Sequence, residues 1–178
     1  MTQFKQTELQ LDHQVDTGTW RHYLNGTLTV LHCHHYATLY SQLADDCELL
    51  DAKKLLAECA EDAFLPVLAD YFAQEGIDAV KDRIAIAEEY FAAYGLGKMT
   101  VVCAGSESGE VVLEHSHVDE GWIKKWDRRD APVNFIGCGY IAAVFAAVFD
   151  RPARSFDVCE VQSIVSGAEC SRFTVVCN

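Results

Sequence analysis

The sequence predicts an α+β domain: an antiparallel sheet of about four strands with helices packed on one face, and a helical N-terminal half. Three observations carry this. Apolar residues recur at helical spacing as far as Tyr94. From about Lys98 onward two hairpin signatures appear, Met99–Ala104 with Glu110–Val118 around GSESG, and Phe156–Val165 with Cys170–Cys177 around Ser166-Gly167-Ala168. Between the hairpins lies PVNFIGCGYIAAVFAAVFD, a helix in which Ile136, Tyr140, Ile141, Val144, Phe145 and Val148 cover more than one side. A helix apolar on every face is a core element, not a surface one. Its small residues, Gly137, Gly139 and the alanines, allow another backbone to come close. The whole chain reads as one domain, residues 1–97 forming a mainly helical cap and 98–178 the sheet-bearing core.

Taken in order, residues 1–20 have weak periodicity and read as an arm or loose strand. Leu24–Leu31 is strand-like but broken by the turn dipeptide Asn25-Gly26. Tyr36, Leu39, Tyr40 and Leu43 then set a helix starting near His34. Asp51 is placed to cap the next helix, whose stripe runs from Leu55 to Tyr71, with Pro66 expected to kink or break it and Gly76 to end it. Ile77 to Tyr94 defines a further helix, closed by Gly95 and Gly97. Trp122 and Trp126 mark a helical turn with Lys124, Lys125, Arg128 and Arg129 on its wet side, and Asp119-Glu120 is expected to cap it. The acid pairs Asp45/Asp46 and Glu88/Glu89 read as solvated helix faces.

Composition removes several classes of function. The net charge is −13, from 27 acidic and 14 basic residues, and no Lys/Arg stripe exists, which argues against a nucleic-acid partner. No apolar segment is long enough for a membrane span, and the polar N-terminus lacks the apolar region of a secretory signal. Eight cysteines without a C-x-x-C pair fit a reduced, cytoplasmic protein in which most of them are expected to be buried small hydrophobes. Gly137 and Gly139 do not follow a strand into a helix, so they signal packing and not dinucleotide binding.

The core segment has further punctuation. Pro132-Val133-Asn134 is followed by Gly139-Tyr140, then Glu160-x-x-Ser163, Gly167, Ser171 and Arg172-Phe173. In that order and spacing the run from about Lys98 to Asn178 resembles the 4-vinyl reductase-like domain. That family includes a protein of bacteriochlorophyll synthesis, ligand-sensing domains of phenol-responsive activators and stand-alone small-molecule binders. Its fold is shared with subunits of a vesicle-tethering complex. The resemblance implies a protein that binds a small apolar or aromatic molecule. It also implies where a zinc would sit, because zinc-containing members carry three Cys and one Glu at positions that here are Asn134, Glu160, Ser163 and Ser171. Three thiolates are replaced by weak neutral oxygen donors, so no zinc is expected. Ser163 and Ser171 are expected to bond to each other or to backbone, and Cys170, one position away, points to the opposite strand face.

The residues that could carry chemistry are the histidines and two cysteines. His32, His34 and His35 flank Cys33, and His115 and His117 share one face if both lie on a strand. Such a group could hold a divalent metal or lower the Cys33 pKa for nucleophilic catalysis. Neither shows a standard ligand spacing, so no metal is assigned and the sequence points to no particular cofactor. The favoured reading is a binder whose pocket lies between the helix after His34 and the buried helix carrying Cys138 and Tyr140. Its expected lining is His34, His35, Tyr36, His117, Trp122, Cys138 and Tyr140, with Trp122 at the mouth. A small hydrolase or reductase using the His/Cys group is the alternative, and an assembly subunit the third. The wide apolar stripes of the N-terminal helices predict a homodimer.

Overall fold

A computed structural model describes residues 7–30 and 32–178. The elements in order are β1 (His13–Asp16), β2 (Arg21–Leu24), β3 (Thr27–Thr29), α1 (His34–Asp46), α2 (Ala52–Glu75), α3 (Val80–Ala93), β4 (Gly97–Ala104), β5 (Ser108–Ser116), α4 (His117–Trp126), α5 (Phe135–Val148), β6 (Phe156–Gln162), a 3₁₀ turn at Ile164–Ser166, and β7 (Ser171–Cys177). They form an α+β fold with two antiparallel sheets, a three-stranded β1-β2-β3 meander and a four-stranded sheet ordered β4-β5-β7-β6.

The larger sheet alternates as a one-sided sheet must. Met99, Val111, Leu113, Phe156, Phe173 and Val175 are buried on one face, while Thr100, Val102, Arg172, Thr174 and Val176 stay wet on the other. α5 lies across the buried face, where Phe145 meets Phe156 at 5.6 Å between ring centroids. α2 and α3 close over α5 with Leu68, Phe72, Ile86, Tyr90 and Phe91, so the helix with no polar side is enclosed over most of its length. Gly139 is where α2 and α5 come closest: any Cβ there would collide with the Ala57 carbonyl oxygen. At β6 a register shift between Glu160 and Gln162 inserts Val161 as a bulge, which keeps Glu160 and Ser163 both turned inward.

Local signals explain most boundaries. Asp51 caps α2 by accepting from the Lys54 N–H at 3.2 Å, and Gly76 ends it in the left-handed region at φ 63°. Asn25 (φ 47°) and Gly26 (φ 78°) make the tight β2–β3 turn, and the Asn25 amide donates to the Tyr90 hydroxyl at 2.6 Å, tying the meander to α3.

Several expectations need correction. Pro66 neither breaks α2 nor ends it; the helix runs from Ala52 to Glu75, with Pro66 exposed on the face where water can satisfy the released carbonyl. The cysteines are not fully buried: four are exposed and the other four are only partly covered. Asp119 does not cap α4. The cap is Ser116, whose hydroxyl accepts from the Asp119 N–H at 3.2 Å, and this ends β5 two residues before the expected boundary. Glu88 and Glu89 are not simply solvated: Glu88 accepts from the Val101 N–H at 2.6 Å and Glu89 from the Leu9 N–H at 2.5 Å.

Gly139→Val should therefore force α2 away from α5. Chemical denaturation is expected to show a loss of about 3 kcal/mol or more, at the top of the range for overpacked cores.

Candidate functional site: an apolar cavity edged by His117 and a buried polar cluster

Where β3 and the residue after it cross the gap between α1 and α2, a cavity of about 350 Å³ remains. Leu28 and Val30 form one wall, Ala37 and Tyr40 of α1 a second, and Phe64 and Val67 of α2 a third, with Tyr94, Leu96 and Ile136 at the base. The volume suits a small organic molecule, and the lining is mostly apolar. Its polar atoms come from His32, Thr27, Thr29, the Tyr40 and Tyr94 hydroxyls and His117. Burial pushes the Tyr94 phenol above its ordinary range, against a lowering contribution from Thr29. His117 Nε2 is buried and has no hydrogen-bond partner. An unpaired buried imidazole nitrogen costs free energy until something bonds to it.

The expected site residues are dispersed. His117 lines the apolar cavity and also a smaller cleft of about 180 Å³, which it shares with His34, Glu120 and Lys124. The His34 and His117 rings meet edge-on at 6.1 Å, and His34 Nε2 is likewise buried without a partner. Partial burial, then the neighbouring His35, Lys124 and His117, hold His34 below the usual imidazole range. His35 and Tyr36 are exposed on the outer side of α1. Trp122 is not at a mouth: it is buried with Val118, Val133 and Val165, tilted on Trp126 at 4.8 Å, with the Arg129 guanidinium 5.2 Å above its ring. Cys138 faces a separate cleft of about 380 Å³ beside Phe135, Ala142 and Phe156. Burial and the neighbouring Glu160 push its thiol far up, so it is an unreactive neutral group. Tyr140 is fully buried; its hydroxyl donates to the Ala87 carbonyl at 2.7 Å and its ring meets Phe64 at 4.8 Å. It supports the cavity wall from behind without reaching the cavity. His34, His117 and Tyr140 thus line no common cavity.

His115 and His117 do not share a strand face either. His115 ends on the exposed surface with its Nδ1 3.3 Å from Glu120, whereas His117 is the first residue of α4. Among the described residues no group of three or more His, Cys, Asp or Glu is arranged to hold a metal ion. Phe64, Tyr94, Leu96 and Ile136 line the cavity without being candidates in the sequence. Their one sequence signal is that they are large apolar residues, which does not separate a cavity wall from a filled core.

A second constellation lies on the far side of α4. Asn134 caps α5 by accepting from the Gly137 N–H at 2.9 Å, while its amide donates to Ser116 Oγ at 3.0 Å and Asp119 Oδ2 at 3.1 Å. Ser163 Oγ is 3.4 Å from Asp119 Oδ1 and accepts from the Val165 N–H; Ser171 Oγ accepts from the Ile164 N–H at 3.0 Å. The Asn134 N–H donates to Glu160 Oε2 at 3.4 Å, and Glu160 Oε1 is buried without a partner. These include the four positions at which the sequence resemblance would put zinc ligands. They do not fit that metal: each of the four residues already has a side-chain oxygen taken by a backbone N–H group, and none of the four positions carries a sulfur. The cluster joins β5, α4, α5, β6 and β7 by hydrogen bonds.

No family model matches the chain, and no curated protein matches it by sequence. Its fold is that of the phenol-responsive sensory domain of the transcription activator PoxR, solved with phenol: TM-score 0.77 at 13% identity, covering 93% of this chain and 84% of that one. It is also similar to a trafficking protein particle complex subunit 3 from Naegleria fowleri, covalently bound to palmitic acid: TM-score 0.54 at 15% identity, covering 82% of this chain and 94% of that one.

Asn134→Ala removes the α5 cap and strands Ser116 and Asp119. Denaturant unfolding is expected to show a loss of about 2–3 kcal/mol, and added zinc should not restore it.

Proposed function

We propose that this chain is a cytoplasmic small-molecule-binding protein of the 4-vinyl reductase-like kind, and that the cavity beside His117 is its ligand site. The observation that carries the reading is the cavity's chemistry: apolar walls from Leu28, Phe64, Val67 and Ile136, with His117 among the few polar side chains that line it. Such a site favours an aromatic or short acyl molecule with one polar group, the ring or chain against the walls and the polar group on His117 Nε2. The structural neighbours support this in kind, one having been solved with phenol and the other with palmitic acid attached. Binding is favoured over hydrolase or reductase chemistry, because the Cys138 thiol keeps its proton and Cys33 is exposed outside the cavity lining.

Phenol and hexanoate are the probes. At millimolar concentration one or both should raise the melting temperature, and His117→Ala should weaken the effective probe about 5- to 10-fold, the loss of one hydrogen bond. An exposed control, Glu169→Ala, should leave it unchanged. No shift with either probe overturns the reading.

A homodimer is part of the proposal. Tyr36, Leu39, Tyr40 and Leu43 lie along α1 at helical spacing and are all exposed, with Leu49 and Leu50 beyond its end at 93% and 63% exposure. A stripe of that kind favours burial against a second copy. Light scattering should give twice the chain mass, and Leu43→Glu should halve it; a wild-type monomer at micromolar concentration counts against this.

A further inference from the structure

Two carboxylic side chains are buried in the polar cluster, and among the described residues no cation is buried with them. Asp119 is fully buried and Glu160 is 8% exposed. The groups facing Glu160 are Asp119 of α4, the Asn134 N–H at the start of α5, the Cys138 thiol, and the Ser163 and Ser171 hydroxyls; Cys159 neighbours it along β6. Those facing Asp119 are Ser116, Asn134 and Ser163. The basic residues at this end are turned elsewhere: Arg129 pairs with Asp45 at 2.6 Å, and Arg128 lies against Gly167. His117, on the same turn of α4, lines the cavity and the His34 cleft. Asp130 lines only the outer cleft that opens onto Glu160.

Two like charges in a buried site without a cation are not both sustained. We propose that Asp119 and Glu160 hold one proton between them, resting on Glu160, and that this proton is a latch seating α4 and the Ile164–Ser166 turn on the core. The hydrogen bonds identify its place. Both Asp119 oxygens have neutral donors, the Asn134 amide and the Ser163 hydroxyl, as an ionised carboxylate requires. Glu160 has one weakly bonded oxygen and one with no partner, an arrangement far less costly for a neutral acid than for a buried anion. The cleft of Asp130, Gln162 and Ser166 gives the proton a route to water. Burial, and then the charge of Asp119, push Glu160 up to about 7, against smaller lowering contributions from Ser163, Ser171 and the Asn134 N–H.

The sign follows. An acid whose folded pKa is raised binds a proton in the folded chain that the unfolded chain has released. Its contribution is therefore complete below the ordinary glutamate range and is lost as pH rises through about 7. Above that, the second charge has to be hydrated and the cluster has to open. This inference does not depend on what the cavity holds.

The test is thermal unfolding of the full chain from about pH 5.5 to about pH 8, for wild type and Glu160→Gln, which copies the neutral acid. Wild type should lose several degrees across the range. The variant should lose clearly less and melt higher than wild type at the alkaline end. Equal slopes in the two proteins would overturn the proposal. If Glu160→Gln does not fold, infrared titration of the wild type decides. A protonated carboxyl band that persists near pH 6 and fades towards pH 8 supports the latch. Carboxylates fully ionised near pH 6 refute it.

Discussion

Everything in this structure depends on enclosing α5. A helix with Ile141, Val144, Phe145 and Val148 buried around it has no polar side to give to water, so the fold supplies a sheet beneath it and two helices above it. The sheet answers with one apolar face, and the helices answer with aromatic residues packed edge-to-face around Tyr140. Close approach is possible because Gly139 presents no side chain to α2.

That enclosure also explains where the two polar regions lie. α5 begins at Asn134, and its unbonded N–H groups must be satisfied in a buried place. Asn134 does this for Gly137 and at the same time draws Ser116 and Asp119 into contact, so the start of one helix is bonded to the start of another. Ser163, just after β6, and Ser171 of β7 complete the knot. α4 therefore has a buried polar side facing β6 and β7, while its first residue, His117, faces the apolar gap under β3. The cavity exists because the meander and α1 bridge that gap without filling it.

Much of the architecture was legible in the chain because it rests on local rules. Alternation marked both hairpins of the larger sheet, Asp51 and Gly76 marked the ends of α2, and the all-apolar run from Ile136 to Val148 marked the core helix. The site was much less legible. Cys138 and Tyr140 are two residues apart on α5, yet one faces an open cleft and the other is sealed in the core, since adjacent helical positions turn about 100° per residue. His115 and His117 separate for a different reason: Ser116 between them caps a helix, so the strand period stops.

The sequence by itself determined the class of fold, the identity of the core helix and the oxygen donors at Asn134, Glu160, Ser163 and Ser171, because composition, periodicity and donor chemistry are properties of residues. Only the tertiary structure decided which side chains share a space. It put His117 with Phe64 and Tyr94, kept Trp122 in a core, and set Asp119 beside Glu160 from elements far apart in the chain. Those meetings arise from how helices cross a sheet and where a single bulge at Val161 turns a strand. No short-range pattern encodes them, because the partners have no neighbours in common along the chain.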